Sequence, residues 1–325
     1  MRYLFTFFAG VLLCAAAQIL MIHVQEGVPT SSSKWAADLY QLKERHAKKY
    51  STEKLLILSG SNSLFGIYTP ALENAYGVPT TNFGVHAGLG LRYILDRSKR
   101  ALNSGDIVYL PLEYALYQDS EIPSPQLMDF LIARDPHYFR TLPIRERILG
   151  YTSLPISRIV EGLQGGSDRY QGQSAKLYNV ANVDESGNQL QQSVSPQMSN
   201  RGQLATLKAK DISDGNLTSH SQRVLSEYFA WARKHNICVI GGPPNLLDDP
   251  EYHSARFDQF FKVVLDFYAS NDVPFAGHPS NYLLPIDLFF DTEYHLNAKG
   301  IKLRTELTIS HLGEDPRSLC GRYDA

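Results

Sequence analysis

Cysteine is scarce in this sequence. Three occur among 325 residues, at positions 14, 238 and 320, with no Cys-x-x-Cys pair and no His/Cys cluster. That leaves no thiolate or imidazole cage, so no metal site and no cofactor are expected. A charge bias is also missing. The chain has 31 Lys and Arg against 33 Asp and Glu, for a formal net charge of −2. Nucleic-acid binders usually present a basic face, so no nucleic-acid partner is expected. No internal repeat is visible, which excludes repeat architectures.

What is present is ordinary globular material. Hydrophobic residues make up 43% and charged residues 20%, enough to bury a core in one large domain or two small ones. Most of the 19 Tyr and 15 Phe are expected in that core.

The N-terminus is the exception. An apolar run extends from Tyr3 to Val24, broken by Gln18 and His23. It is long enough to cross a bilayer. Ala15-Ala16-Ala17 offers a signal-peptidase site, but apolar residues resume at Ile19 to Ile22, which favours an uncleaved anchor over residues 1–25. Leu13 before Cys14 argues against lipidation. Lys34, Lys43, Arg45, Lys48 and Lys49 come after the run, against the simple positive-inside rule. Glu26 and the long globular remainder nonetheless favour export of the downstream domain, to the extracytoplasmic side of the inner membrane.

Residues 26–53 read as a linker, Gly27 to Ser33, and a helix from Lys34 to Tyr50. From 54 onward the pattern alternates. Apolar runs at Lys54–Leu58, Val78–Phe83, Ile107–Leu112, Ile237–Gly241 and Val273–Gly277 predict buried strands. Helical stretches lie between them, at 70–76, 89–103, 125–163, 219–235 and 251–270. Strand–helix alternation of this kind predicts an α/β fold with a mostly parallel sheet. Residues 164–218 are rich in Gly, Ser, Asn and Gln, and read as an irregular insertion. Cys238 falls in an expected strand. A bridge to Cys320 is conceivable outside the cytoplasm, but two unpaired thiols are the favoured reading.

Active sites in open parallel sheets gather at the carboxyl ends of strands. Ser61 comes after the first strand, Gly84–Gly88 after the second, Glu113 and Tyr114 after the third. Asp291 and His295 precede a last helix expected near Asn297. A serine hydroxyl needs a base, histidine supplies one, and a carboxylate orients it. Backbone N–H groups in tight glycine turns can hold an oxyanion.

The stretch Leu55-Leu-Ile-Leu-Ser-Gly-Ser-Asn-Ser-Leu-Phe-Gly66 resembles the first block of SGNH (GDSL-like) hydrolases, and Phe290-Asp-Thr-Glu-Tyr-His-Leu-Asn297 resembles the last. The resemblance implies an SGNH-like three-layer α/β sandwich over 54–325. It implies Ser61 as nucleophile, His295 as base and Asp291 as its orienter. It also implies Gly88 as oxyanion donor, with Asn62, Glu113 and His86 as further oxyanion or substrate-binding candidates. The sequence departs from the family in four ways. Gly60 replaces the usual Asp. Three residues, not two, separate Asp291 from His295. Pro111-Leu-Glu-Tyr114 stands where an Asn is expected. Ser63 lies close enough to exchange roles with Ser61 under a shifted alignment.

With its N-terminal anchor, the chain is most similar to the divergent members that acylate cell-envelope polymers, such as the alginate O-acetylation and teichoic-acid D-alanylation proteins. That likeness implies an O-acyltransferase, acetyl being favoured, with a polysaccharide or glycan acceptor and a multi-pass membrane acyltransferase as partner. An esterase using the same residues, and a catalytically degenerate envelope-assembly or sugar-binding protein, remain open alternatives.

Overall fold

The computed structural model describes residues 2–170, 177–209 and 215–320. Contacts divide the chain into two compact units. The larger comprises Leu39–Ala87, Leu91–Asp119 and Val180–Ala325; the smaller comprises Met1–Asp38, Gly88–Gly90 and Ser120–Asn179.

The larger unit is a mixed α/β structure. Its sheet contains β1 (Leu55–Ile57), β2 (Thr80–Asn82), β3 (Ile107–Leu110) and β4 (Cys238–Gly241), in the order β2-β1-β3-β4. Every pairing is parallel, with Leu55 opposite Thr80 and Ile107, and Ile107 opposite Cys238. Parallel neighbours require crossover connections. The helices Thr69–Tyr76, Leu91–Ser98 and Ser219–Lys234 lie in these connections. Leu55, Ile57, Ile107, Tyr109, Cys238 and Ile240 alternate onto one face and share a core with Leu72 and Leu312. The intervening Leu56, Val108 and Val239 are buried as well. Burial on both sides explains why these strands read as continuous apolar runs.

A fifth strand at Val273–Gly277 does not form. Only an isolated parallel bridge joins Phe275 to Gly241. Pro274 has no N–H to donate, and Gly277 adopts φ +89°, so the ladder stops on both sides. Two further short strands, β5 (Leu246–Leu247) and β6 (Leu283–Leu284), pair in parallel beyond it.

The starts of β1 and β3 are pinned by a fully buried ion pair. Lys54 Nζ lies 2.6 Å from Asp106 Oδ2, and Asp106 also accepts the N–H groups of Lys54 and Asn103. Removing one partner of such a pair costs roughly 3–5 kcal/mol, because the other charge is left buried alone.

The cysteine expectation is corrected. Cys238 and Cys320 form a disulfide with Cα atoms 5.8 Å apart. The pairing arises from tertiary packing of the C-terminal turn against β4, across 82 residues of sequence, and no local signal announces it. Cys14 is free and exposed.

The smaller unit is helical. Its first helix, Arg2–His23, is long and apolar enough to cross a membrane, and almost none of it is buried. The helix Ser31–Ala47 begins earlier than expected, inside the presumed linker, because Glu161 Oε1 accepts its Ser31 N–H at 2.9 Å. The unit boundary falls within this helix, after Asp38. The helical expectation over 125–163 resolves into four pieces: Pro125–Arg134, Pro136–Thr141, Ile144–Ser153 and Ile156–Leu163. Proline accounts for each start. Pro125 and Pro136 open their helices, and Pro143 and Pro155 immediately precede theirs.

Of the insertion expected at 164–218, residues 171–176 and 210–214 lie outside the described residues. The rest holds three short 3-10 turns and the helix Arg201–Leu204.

Candidate active site

The chain leaves β1 through Ser59 and Gly60 and turns at once into the short helix Ser61–Leu64. Ser61 is half-buried, whereas Asn62 and Ser63 are fully enclosed. Ser61 Oγ lies 2.9 Å from His295 Nε2. Ser63 Oγ instead donates to the Gly60 carbonyl at 3.2 Å. The hydroxyl that meets the histidine is therefore that of Ser61.

Asp291 and His295 share a tight loop. Phe290 N–H donates to the His295 carbonyl at 2.8 Å, and Phe289 bridges to Leu296. Thr292 Oγ1 accepts the N–H groups of Tyr294 and His295. This side-chain turn absorbs the extra residue between acid and base. His295 Nδ1 consequently lies 2.8 Å from Asp291 Oδ1 despite the unusual spacing. Asn297 then caps the helix Ala298–Leu312 through its side-chain oxygen, while its amide donates to the carbonyls of Asp287 and Phe289.

His295 is 5% exposed and stacks on Phe65, with ring centroids 4.1 Å apart and planes at 18°. A carboxylate accepts only, so Nδ1 beside Asp291 donates, and Nε2 presents its lone pair to the Ser61 hydroxyl. Asp291, His295 and Ser61 thus form one continuous hydrogen-bonded relay.

Around this relay the turn is braced by buried polar groups. Glu113 Oε2 accepts from Gly60 N–H at 2.9 Å and from Ser59 Oγ at 2.8 Å, and Oε1 accepts from Asn62 N–H at 3.0 Å. Asn62 Nδ2 donates to Ser59 Oγ and to the Pro111 carbonyl. Arg304, fully buried, donates to the Asn62 carbonyl and side-chain oxygen and to Asn245 Oδ1. Burial lowers Arg304 to about 10, so it remains a cation at neutral pH. Asn62 and Glu113 therefore act on the turn, with their hydrogen-bonding groups directed inward.

Gly60 has a steric reason to lack a side chain. A Cβ there would overlap Glu113 Oε1 and sit 2.6 Å from the Ala87 nitrogen. The Asp that the resemblance leads one to expect has no room, because Glu113 fills the space from β3. Lys43 holds the neighbouring loop: its Nζ donates to the Gly84 carbonyl at 2.5 Å and the Gly187 carbonyl at 2.8 Å. Burial holds its pKa well below the usual range, against the opposing charge of Asp184.

His86 is half-buried, and its pKa is lowered first by burial. It feels the charges of both Glu113 and His295, one raising and one lowering it, which marks it as a neighbour of the relay. Gly88 belongs to the smaller unit, where its carbonyl accepts from Ser124 Oγ at 2.8 Å. Its neighbour Ala87 is the residue whose N–H lies against Gly60.

Neither a known family model nor a curated protein matches this chain. Among the described residues no group of three or more His, Cys, Asp or Glu is arranged to hold a metal ion. A cleft of about 470 Å³ lies in the smaller unit, walled by Phe130, Leu154 and Pro155 among others, and includes neither Ser61 nor His295.

Arg304, Asn245, Phe65 and Thr292 escape sequence reasoning. Arg304 looks like a surface residue of an amphipathic helix. Phe65, four residues after Ser61, carried the only usable hint, since one helical turn returns it to the nucleophile's side.

Proposed function

We propose that this chain is an SGNH-like O-acyltransferase, acting through an acyl-serine on a glycan exported to the outer side of the cytoplasmic membrane. The Asp291–His295–Ser61 relay carries this reading. Ser61 Oγ attacks the acyl carbonyl while its proton passes to His295 Nε2. The leaving group takes that proton and departs, leaving an ester on Ser61. An acceptor hydroxyl then attacks this ester, giving its proton to His295, and Ser61 leaves with the proton returned. Asp291 stabilises the imidazolium in both halves. Ser61 N–H, which has no acceptor among the described residues, is the first candidate oxyanion donor.

The Cys238–Cys320 disulfide supports an oxidising, extracytoplasmic compartment for the larger unit. An apolar helix able to span the membrane keeps the enzyme beside it, where a multi-pass partner would supply the acyl group. Residues 180–209 of the irregular stretch, in the same unit as Ser61, are the proposed source of acceptor contacts, and a three-layer sandwich is the proposed extension of the parallel sheet.

The decisive experiment is turnover of a chromogenic acetyl ester, with and without an oligosaccharide acceptor, by wild type and Ser61→Ala. Acetylated oligosaccharide from wild type alone is the expected product. Free acetate as sole product assigns the site to an esterase. One observation favours a non-catalytic reading: the Glu113 carboxylate occupies two backbone N–H groups beside Ser61. Equal rates for wild type and Ser61→Ala under both conditions would leave only that one.

A further inference from the structure

We infer that the helices Ile144–Ser153 and Ile156–Leu163 form a hairpin that dips into the outer leaflet beside the N-terminal helix, so that the membrane contact has three helices. The inference rests on the N-terminal helix spanning the bilayer, and it is independent of the acyl-transfer chemistry.

Contacts along the N-terminal segment fix the path of the hairpin. Arg140, just before it, pairs with Glu26 at 2.8 Å. Its corner meets Gln18, whose Nε2 lies 3.1, 3.4 and 3.3 Å from the carbonyls of Tyr151, Thr152 and Leu154. Beyond the corner, Gln25 Nε2 donates to the Ile159 carbonyl at 3.0 Å, and Ser167 N–H to the Pro29 carbonyl at 2.9 Å. The chain therefore descends from the level of Glu26 to that of Gln18 and climbs back to Pro29. From Gln18 to Val24 is about 9 Å of helix.

That depth lies within hydrocarbon. Between the charged Arg2 and the polar Gln18, Tyr3 to Ala17 supplies only about 22 Å of helix, short of the roughly 30 Å apolar layer. The remainder must come from the Gln18–Val24 segment, to which the hairpin is bonded.

The hairpin suits such a setting in two ways. It bares a row of large apolar side chains, with Thr152, Ser153 and Ser157 also exposed near the corner. Ile144 and Ile148 lie one turn apart on the first helix; Ile156, Val160 and Leu163 line one side of the second, with Ile156 75% and Leu163 66% exposed. Leu20 of the N-terminal helix and Val24 just after it are bare at the same level. The corner's carbonyls also meet donors of the protein itself. Thr152 Oγ1 is shared between those of Ile148 and Leu149, Ser153 Oγ donates to that of Gly150, and the Gln18 amide is shared among those of Tyr151, Thr152 and Leu154. A helix end in lipid must satisfy its last carbonyls internally, whereas one in water need not. Gln18, the polar break in the apolar run, is thereby explained. Exposed Arg145 sits at the upper end of the hairpin, at headgroup height.

The full-length chain in phosphatidylcholine–phosphatidylglycerol nanodiscs tests this. A fluorophore on native Cys14 reports on the spanning helix, the other two cysteines being joined. In a Cys14→Ser background, labels go to Ile148→Cys, Ile156→Cys, Leu163→Cys and, as a water-exposed control, Lys262→Cys. Doxyl-lipid and iodide quenching are then compared. We expect lipid quenching several-fold stronger at 148 and 156 than at 262, and weaker at 163 than at 156. Lipid quenching at Cys14 with iodide quenching at 148 and 156 overturns the inference alone. Shielding of 148 and 156 from both quenchers indicates a protein cover and overturns it too. No lipid quenching at Cys14 removes the spanning helix, and the inference with it.

Discussion

Arg304 grips Asn62 twice, through Nη1 to its carbonyl at 2.6 Å and through Nη2 to its side-chain oxygen at 2.7 Å. Asn62 comes directly after Ser61, so the guanidinium fixes the residue that aims the serine. Lysine offers charge without the fork. If Ser61 acts as proposed, Arg304→Lys is expected to lower kcat roughly 10- to 100-fold with little change in KM, since the misplacement touches the attacking oxygen and not the bound substrate. Arg304→Leu is expected to cost about 2–4 kcal/mol of stability, because the acceptors on Asn62 and Asn245 are left buried without a donor. Ester turnover and urea unfolding measure the two. A folded Arg304→Lys enzyme with wild-type kcat would remove Arg304 from any role in aiming Ser61.

Gly60 and Glu113 compete for one space. A side chain at 60 would run into the Glu113 carboxylate and the Ala87 nitrogen. Gly60→Asp, which introduces the residue usual at this place in the SGNH hydrolases that the stretch resembles, is expected to abolish the proposed turnover through overlap and like-charge repulsion. Shortening the competitor removes one of two obstacles, since the Ala87 backbone stays within 3 Å of the new Cβ: Gly60→Asp with Glu113→Ala is expected to lose less than the two single changes summed, because the carboxylate overlap then counts only once. Assay of both single variants and the double completes a thermodynamic cycle. Additive losses would show that the two positions do not share a site.

Much of this arrangement is visible in the sequence, for identifiable reasons. Four of the five expected strands form, because β1, β3 and β4 are buried on both faces and so read as unbroken apolar runs, and β2 comes after a marked turn. The fifth fails on Pro274 and Gly277, punctuation that hydrophobicity alone outweighed. Ser61 and His295 could be paired across 234 residues because the short stretches around them resemble the first and last blocks of SGNH hydrolases. The bracing groups could not. Glu113 reads as a substitute for an expected Asn, yet its carboxylate serves the neighbouring strand's turn. Arg304 and Lys43 are charged residues that look exposed, and only tertiary packing buries them. The Cys238–Cys320 pair could be named as conceivable, but the distance that decides it is set by tertiary packing.

Histidine protonation should set the acid limit of stability. His46 and His86 are both held below the ordinary 6.5, with burial the first cause in each. Between those lowered values and 6.5 the unfolded chain binds more protons than the folded one. Stability therefore rises with pH through that window and levels off above it as far as these groups contribute. Urea midpoints from pH 5.5 to 7.5 are expected to rise and then flatten. His46→Gln, which can keep the hydrogen bond to Thr81, is expected to shallow the rise. A wild-type midpoint that falls as pH increases over this range would contradict the assignment.

The Cys238–Cys320 bond closes a loop of 82 residues that contains β4, the helix Ala255–Ser270 and the whole of the Asp291–His295 loop. In the chain-entropy view, a closure of that length restricts the unfolded state by about 4–5 kcal/mol. Cys238→Ser is therefore expected to lower the unfolding free energy by up to that amount, and reductant should lower the Tm of wild type but not of the variant. The Asp291–His295 loop lies inside the closed segment but is held by its own contacts to Phe65 and Ser61. Turnover per folded molecule at low temperature should consequently stay near wild type. Loss of activity in parallel with the disulfide, in protein still folded by circular dichroism, would mean that the bond positions His295 as well as stabilising the fold.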